Sequence, residues 1–445
     1  MQTKREQLGY EMTLLPPLES LIPEDHRLRR LNKVLDLSFV HEVVRECYCQ
    51  DNGRPSIDPE VIIRLFVLQA IEGIGHIREL MREVQVNLAY RWFIGYRLDE
   101  PLPDHSSLSR VLDRFGDEVF DELFQQGLAQ CRKSGLIEGR LLHVDATTIR
   151  ADLDKNRVHQ ENPPDADARF GRFSDGSKQP GYKGHMVVDD RSRVVLAIEV
   201  TPANVNEGGR LVGLVEAAQE QLDGPPEAVC ADTAYASGDN AQLCENQGVV
   251  LISPPAKPRN QRSHEQFTIE QFRYDESQDQ FICPQGKVLV KVGRCGGKKK
   301  RFKYRASVTD CRGCALKEQC TKAPQRWLNV GEHHGALVRL RGASQKDEFK
   351  SLYRRRAPVI EGLFAEGKQW HGLRRAWRRG MRKMRIQCLL VAAVLNLKRL
   401  AAAFICFIVI KVPYLAPIEH IFRLMGRLWQ RHKALARLCT NSNIN

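Results

Sequence analysis

The stretch from residue 138 to residue 252 constrains the fold most strongly, because its apolar residues switch repeatedly between strand and helix spacing. Residues 141–149 have the pattern of a strand, and 181–188 with 194–202 have that of a hairpin that turns at 189–192. Helix, strand, helix and strand patterns follow at 207–222, 228–232, 239–247 and 248–252. This order predicts an α/β fold built on a mixed sheet.

The order strand, hairpin, helix, strand, helix, strand is that of the RNase H-like fold, and we predict such a catalytic core over residues 136–400. Residues 254–345 interrupt it with prolines and polar residues, which predicts a β-rich or irregular insertion. Residues 1–135 have helical spacing and predict an all-α N-terminal domain, for which resemblance to a helix-turn-helix motif implies DNA binding. Two of its helices meet at a glycine turn, 73–75, and resemble a helix-turn-helix, although a plain helical bundle explains the pattern equally well. Residues 401–445 form a C-terminal extension of no assignable role.

Three acidic residues stand out by their positions. Asp145 follows the apolar run 141–144, Asp232 follows 228–231, and Glu361 lies at the start of a later helical pattern. An acid beyond an apolar strand stands where ligands bind in open α/β sheets. A buried carboxylate is costly without a compensating cation. We therefore predict that the three acids hold two divalent ions, Mg²⁺ or Mn²⁺, for phosphodiester chemistry. For either aspartate alone, capping of the next turn is the plain structural alternative.

Basic residues predict a polyanionic partner. The formal net charge is +14 at pH 7, and arginines concentrate after Glu361. Because arginine forks suit phosphate oxygens, we predict double-stranded DNA as the partner, although a solvated helix face is the alternative. On the strand 181–188, Tyr182, Lys183 and His185 could point toward the acidic site, although such alternating polar positions are more often the solvated face of a hairpin. The predicted DNA contacts after Glu361 are Arg374, Arg375, Arg378 and Arg379.

Four cysteines of the insertion permit a structural zinc site. Cys311 and Cys314 form a C-x-x-C pair, which Cys283 and Cys320 would complete. A metal-free cluster of reduced thiols is the alternative, since we predict a cytoplasmic protein. The longest apolar stretch, 400–412, contains a lysine and is too short to span a bilayer, so no membrane partner is expected.

Several segments resemble the bacterial insertion-sequence transposases of the DDE class. The resemblance covers roughly residues 10 to 400. It implies that Asp145, Asp232 and Glu361 are the catalytic triad, and that a homodimer binds transposon terminal repeats and target DNA for cleavage and strand transfer. The resembling segments are 103–110, 143–147, 231–235, 353–368, 371–376 and 396–400.

The spacing around Glu361 follows that family on its C-terminal side but not on its N-terminal side. Six residues separate Glu361 from Lys368, as in many such transposases, and seven positions are close to two helical turns. The arginine that usually stands before the glutamate, with three residues between, would fall on Ala357, so Arg356 or Arg355 would have to replace it. The resemblance thus implies further DNA contacts at Lys368 and Arg356. Glu366 is a competing acid, but it lies about 140° further round the helix.

Two other functions fit the same residues. One is a metal-dependent nuclease of the same fold that cuts DNA without strand transfer. The other is a non-catalytic DNA-binding repressor, which the presence of all three acids disfavours. The sequence contains no P-loop, no dinucleotide-binding fingerprint and no G-x-S-x-G nucleophile motif.

Overall fold

The structure is a computed structural model that describes residues 17–49, 56–158, 163–256, 266–295 and 301–411. The N-terminal region is all-α, as predicted. Its helices are α1 Leu18–Leu21, α2 Arg27–Asn32, α3 Val40–Val43, α4 Pro59–Glu72, α5 Ile77–Val86, α6 Leu88–Phe93, α7 His105–Phe115 and α8 Glu118–Lys133.

The helix α4 shows why the N-terminal sequence folds in this way. The Asp58 side chain accepts a hydrogen bond from the Glu60 amide at 2.8 Å, and Pro59 occupies the first turn. Gly73 ends the helix in the left-handed region at φ 65°. Most side chains of α4 are buried, so this helix belongs to the core of the region.

The predicted mixed sheet is present at the centre of the molecule. Its order is β2-β3-β1-β5-β6, and β4 also pairs with β3. The pairs β1–β3 and β3–β4 are antiparallel, whereas β1–β5 and β5–β6 are parallel, which is the RNase H-like arrangement. The elements are β1 Leu141–Arg150, β2 Arg169–Arg172, β3 Lys178–Asp189, β4 Val195–Pro202, α9 Leu211–Gln219, β5 Ala228–Ala231, α10 Gly238–Asn246 and β6 Val250–Ile252.

The insertion is β-rich and has a small core of its own. Its five strands form one antiparallel sheet with Phe281, Tyr304 and Leu328 buried at the centre. The basic run 298–300 falls outside the described residues. The elements are β7 Arg273–Asp275, β8 Gln280–Ile282, β9 Val288–Cys295, β10 Arg301–Ala306, α11 Val308–Arg312, α12 Lys317–Cys320 and β11 Trp327–Gly331.

Four helices complete the chain: α13 His334–Ser344, α14 Asp347–Arg354, α15 Gly362–Trp370 and α16 Met381–Lys411. Although α13 lies within the predicted range of the insertion, it contacts α10 beside the central sheet. The boundary predicted at residue 400 falls inside α16, and residues 412–445 lie outside the described residues.

Helix α16 joins the N-terminal helices to the sheet. Residues 386–397 are all buried, and the helix contacts β4 together with α8 and α4. Asn396 fixes it by exchanging two hydrogen bonds, of 2.8 and 2.9 Å, with the backbone of Val195. By length and composition Met381–Phe404 could cross a membrane, but 78% of its most apolar window is buried inside the protein, as expected of a core helix.

Candidate active site

Strand register places Asp145 beside Asp232. The parallel pairing of β1 with β5 ends at Val144 and Ala231, so the two aspartates are the next residues of adjacent strands. Asp232 also caps the following turn, because its side chain accepts from the Ala234 amide at 2.9 Å. The sequence suggested that Asp145 ends its strand, but in the structure it does not. It lies in the middle of β1, because β3 continues to pair with β1 as far as Arg150.

A third carboxylate, which the sequence analysis missed, completes this group. Single oxygen atoms of Asp145, Asp232 and Glu207 all lie within 4.8 Å of one another. Glu207 follows β4 and precedes α9, so a sequence reader would take it for an ordinary acid at a helix start. Lys183 forms an ion pair with Glu207 at 2.7 Å, and its side chain is mostly buried. The expectation of a solvated face on β3 was wrong, since His185 is also buried.

A single arginine links Glu361 to this group. Arg356 donates to Asp145 Oδ2 at 2.6 Å and to Glu361 Oε1 at 2.9 Å. Arg356 was predicted to contact DNA, but its guanidinium is buried between two carboxylates and is not exposed to such a partner. Arg355, the other candidate, instead pairs with Asp190.

A π-helical turn explains the unusual arginine spacing. Residues 357–361 form this turn between α14 and α15. Such a turn holds one residue more than an α-helical turn and joins positions five apart. Arg356 and Glu361 are five apart, so the wider turn brings them to the same face.

Burial dominates the electrostatics of the site. It raises the pKa of Asp145 to about 7 although Arg356 opposes the shift, and the charges of Asp232 and Glu207 add to it. The single guanidinium of Arg356 does not offset this burial, so a cation of higher charge would stabilise the Asp145 carboxylate. Hard oxygen ligands from three carboxylates fit Mg²⁺ or Mn²⁺.

The competing acid Glu366 belongs to another cluster. It pairs with Arg399 at 2.5 Å and with Lys398, and it lies 3.8 Å from His371 Nε2. Burial alone would raise the pKa of Glu366, but hydrogen bonds from Lys398 and Arg399, with His371 nearby, lower it well below its usual range. This carboxylate is saturated by cations of the chain itself.

The basic residues that follow Glu361 have different environments. Lys368 lies near the site: burial and the charge of Arg374 lower its pKa, whereas Asp145 opposes this shift. Arg374 is exposed, with no ion-pair partner among the described residues. Arg375 pairs with the Asp152 carboxylate at 2.6 Å, and Arg379 donates to the Asp152 carbonyl oxygen at 3.1 Å.

Arg378 departs from its predicted role. Its guanidinium lies 5.5 Å from the centre of the Phe66 ring in α4, and burial lowers its pKa to about 10. This side chain stabilises the contact with the N-terminal helices and is not placed to meet DNA. Trp377 is buried, whereas Trp370 is exposed.

The four cysteines of the insertion share one end of its core. Cys283, Cys311 and Cys320 contact the buried residues of the second sheet. Burial raises the pKa of the Cys320 thiol, and the three other thiols raise it further, so all four are neighbours. No three of these sulfurs lie within 4.8 Å of one another in the described part of the chain.

Two family models match the chain. One, described as Transposase domain (DUF772), covers residues 16–114, which include α1 to α6 and nearly all of α7. The other, described as Transposase DDE domain, covers residues 282–401, and these include Arg356, Glu361 and Lys368. The chain is a DDE transposase. Its family uses divalent metal ions and acts on DNA, in agreement with the acidic site.

Other comparisons add little to this assignment. No curated protein sequence matches the transposase significantly. A piggyBac transposase synaptic complex with hairpin DNA aligns over 91% of this chain and 85% of that chain, at 11% identity and a TM-score of 0.35. A Mos1 transposase paired-end complex with the left transposon end aligns over 73% and 82%, at 14% identity and a TM-score of 0.18. These scores are too low to support an argument from similarity, so the fold rests on the sheet order.

Proposed function

We propose that the transposase cleaves the ends of an insertion sequence and joins them to target DNA at Asp145, Asp232 and Glu361. The observation that carries this proposal is the convergence of the two strand aspartates with the Arg356–Glu361 pair at one end of the sheet. Two divalent ions bound there would activate a water or a 3′-hydroxyl for attack and stabilise the leaving 3′ oxygen.

The protein's own residues prepare the site for this reaction. Arg356 holds Asp145 and Glu361 in one orientation. Lys368 supplies positive charge near Asp145, where a scissile phosphate would lie, and Arg374 lies near Lys368. These contacts would hold the DNA backbone without reading its sequence. Arg375 and Arg379 extend the same surface, shared with Asp152. A homodimer that holds both transposon ends, in the cytoplasm, completes the proposal.

Strand transfer is tested with a DNA duplex of the terminal repeat that flanks the gene, cut to expose its 3′-hydroxyl, and a supercoiled plasmid. We expect joined products with Mg²⁺ or Mn²⁺ and none with a chelator. Asp145→Asn and Asp232→Asn should lower joining by about a thousandfold or more while gel-shift binding remains, because a metal ligand is lost.

The same assay separates the alternatives. Shortened DNA without joined products would identify a nuclease, and binding without either reaction would identify a repressor. Cleavage retained by Asp145→Asn would contradict the proposed triad.

We also propose one structural zinc ion at Cys283, Cys311, Cys314 and Cys320. The Lys287 amide donates to Cys283 Sγ at 3.3 Å, a bond that stabilises a thiolate. Since Zn–S bonds are about 2.3 Å long, the ion would draw the four sulfurs closer together. Four thiolates would leave no open coordination position, so the role of the ion would be structural.

A further inference from the structure

We propose that Glu207 is a further metal ligand of the transposase and shares one divalent ion with Asp145 and Asp232. The inference rests on the proposed function, because it concerns the same site. Its starting point is the close group of three carboxylates, which includes Glu207 and leaves Glu361 outside. One ion would lie among the three, while Glu361 would serve the second ion with Asp145.

The segment that carries Glu207 is fitted to the turn after Asp232. A side chain at Gly208 would meet the Ala234 carbonyl oxygen at 2.5 Å, so only glycine permits this approach. Asn240 is buried and donates to the carbonyl oxygens of Gly208 and Tyr235, at 2.8 Å each. The two segments are thereby held together, which is a requirement of a site with fixed geometry.

Lys183 fixes Glu207 from the other side. It donates to the Val205 carbonyl oxygen at 2.9 Å and pairs with Glu207 Oε1 at 2.7 Å. A carboxylate has two oxygens with several acceptor positions, so the ion pair and metal ligation are compatible. The lysine also offsets part of the repulsion among the three acids in the metal-free protein.

A buried hydroxyl supplies independent evidence for a ligand at this place. Tyr235 is fully buried, and its hydroxyl has no hydrogen-bond partner among the described residues. Burial raises its pKa, and the charges of Glu207, Asp145 and Asp232 raise it further, so the hydroxyl faces the acidic group. A buried hydroxyl without a partner is costly. Water of hydration on a cation held by the three carboxylates would donate a hydrogen bond to the Tyr235 hydroxyl oxygen and so give this group a partner.

Mn²⁺ binding to the full-length protein, measured by electron paramagnetic resonance, tests the inference without relying on activity. We expect Glu207→Gln to weaken binding of one ion by about tenfold or more, since even changes beyond the ligands cost that much. Glu216→Gln, which alters an exposed acid on α9, is the matched control and should bind as the wild type does. Unchanged Mn²⁺ affinity in Glu207→Gln would overturn the inference.

Two further variants separate the explanations. Because Glu207→Gln leaves Lys183 without its partner, the double variant Lys183→Met with Glu207→Gln removes both charges and should fold with the same loss of affinity. Wild-type affinity in this double variant would also overturn the inference. Asp145→Asn should lose Mn²⁺ binding whatever Glu207 does. If Asp145→Asn binds Mn²⁺ normally, the proposed function itself fails.

Discussion

Two glutamates on one helical segment show how neighbouring contacts decide the role of a residue. Glu361 is more than half exposed and meets only the shared guanidinium of Arg356 among the described residues. Glu366 is mostly buried among Lys398, Arg399 and His371. The first carboxylate is free to take a ligand, whereas the second stabilises the packing of α15 against α16.

Opposite effects are therefore expected from two equal substitutions. Glu361→Gln should abolish cleavage with little change in stability. Glu366→Gln should retain cleavage but lower the free energy of unfolding by about 2–3 kcal/mol, because it leaves partly buried cations unpaired. Strand-transfer assays and urea unfolding measure the two effects. Loss of cleavage in Glu366→Gln alone would move the third ligand to that residue.

The stabilising effect of Glu366 should depend on pH. Its pKa is lower in the folded protein than in the unfolded chain, so its contribution is complete above the unfolded value of about 4.3. It decreases only as the pH falls toward the folded pKa. The difference in unfolding free energy between wild type and Glu366→Gln should thus stay constant from neutral pH to about pH 5 and shrink in stronger acid.

At the scale of elements, the π-helical turn 357–361 sets the relative positions of Arg356 and Glu361 in the proposed active site. It accommodates one more residue than the spacing of related transposases and still joins Arg356 to Glu361. Pro358 lies inside the turn and lacks an amide donor, so an α-helical turn would be strained there. Because the π-helical turn accommodates the extra residue locally, the helices on either side of it keep their orientation toward the rest of the protein.

Removing the extra residue tests this interpretation. Deletion of Ala357 together with Pro358→Ala should give a continuous α-helix in which the arginine and the glutamate are four apart and still adjacent. Cleavage should stay within about tenfold of the wild type. Deletion of Ala365, the control, should turn Lys368 about 100° away from Glu361 and abolish cleavage. A folded but inactive Ala357 deletion, judged by circular dichroism, would count against the interpretation.

At the scale of the molecule, one core joins the N-terminal helices to the catalytic sheet. It extends from Leu28 to Ala401, with α16 between α8 and β4. Several basic residues of α16 serve this junction. Lys383 pairs with Asp113, and Arg385 pairs with Asp121, both at 2.8 Å. The basic charge after Glu361 is thus divided between the proposed DNA-binding surface and pairs with the protein's own acids.

The insertion has a separate core, so its stability can be tested separately. We expect purified protein to carry one zinc ion per chain by mass spectrometry, and the double variant Cys311→Ser with Cys314→Ser to lose it. Loss of zinc should destabilise the insertion, because metal binding and folding are coupled in small domains. Normally folded protein with almost no zinc would refute the zinc proposal.

Local patterns sufficed for much of this fold. Alternating and helical spacing predicted the order of strands and helices, because each element must bury one face. Asp145 and Asp232 could be chosen from sequence because each follows an apolar run, and Glu361 because Lys368 lies two turns later. These features depend on residues that are close together in the chain.

Only the tertiary structure decided which residues share the site. Glu207 reaches the two aspartates because Gly208 packs against the Ala234 carbonyl and accepts a hydrogen bond from Asn240, which lies 32 positions later in the chain. Arg356 was expected to meet DNA and instead joins two acids, while Arg378 turns inward onto Phe66. The sequence determined which acidic, basic and thiol side chains this transposase has available. Strand register and helix packing determined which of these side chains meet. Such contacts join segments that are far apart in the chain, so no local sequence pattern indicates them.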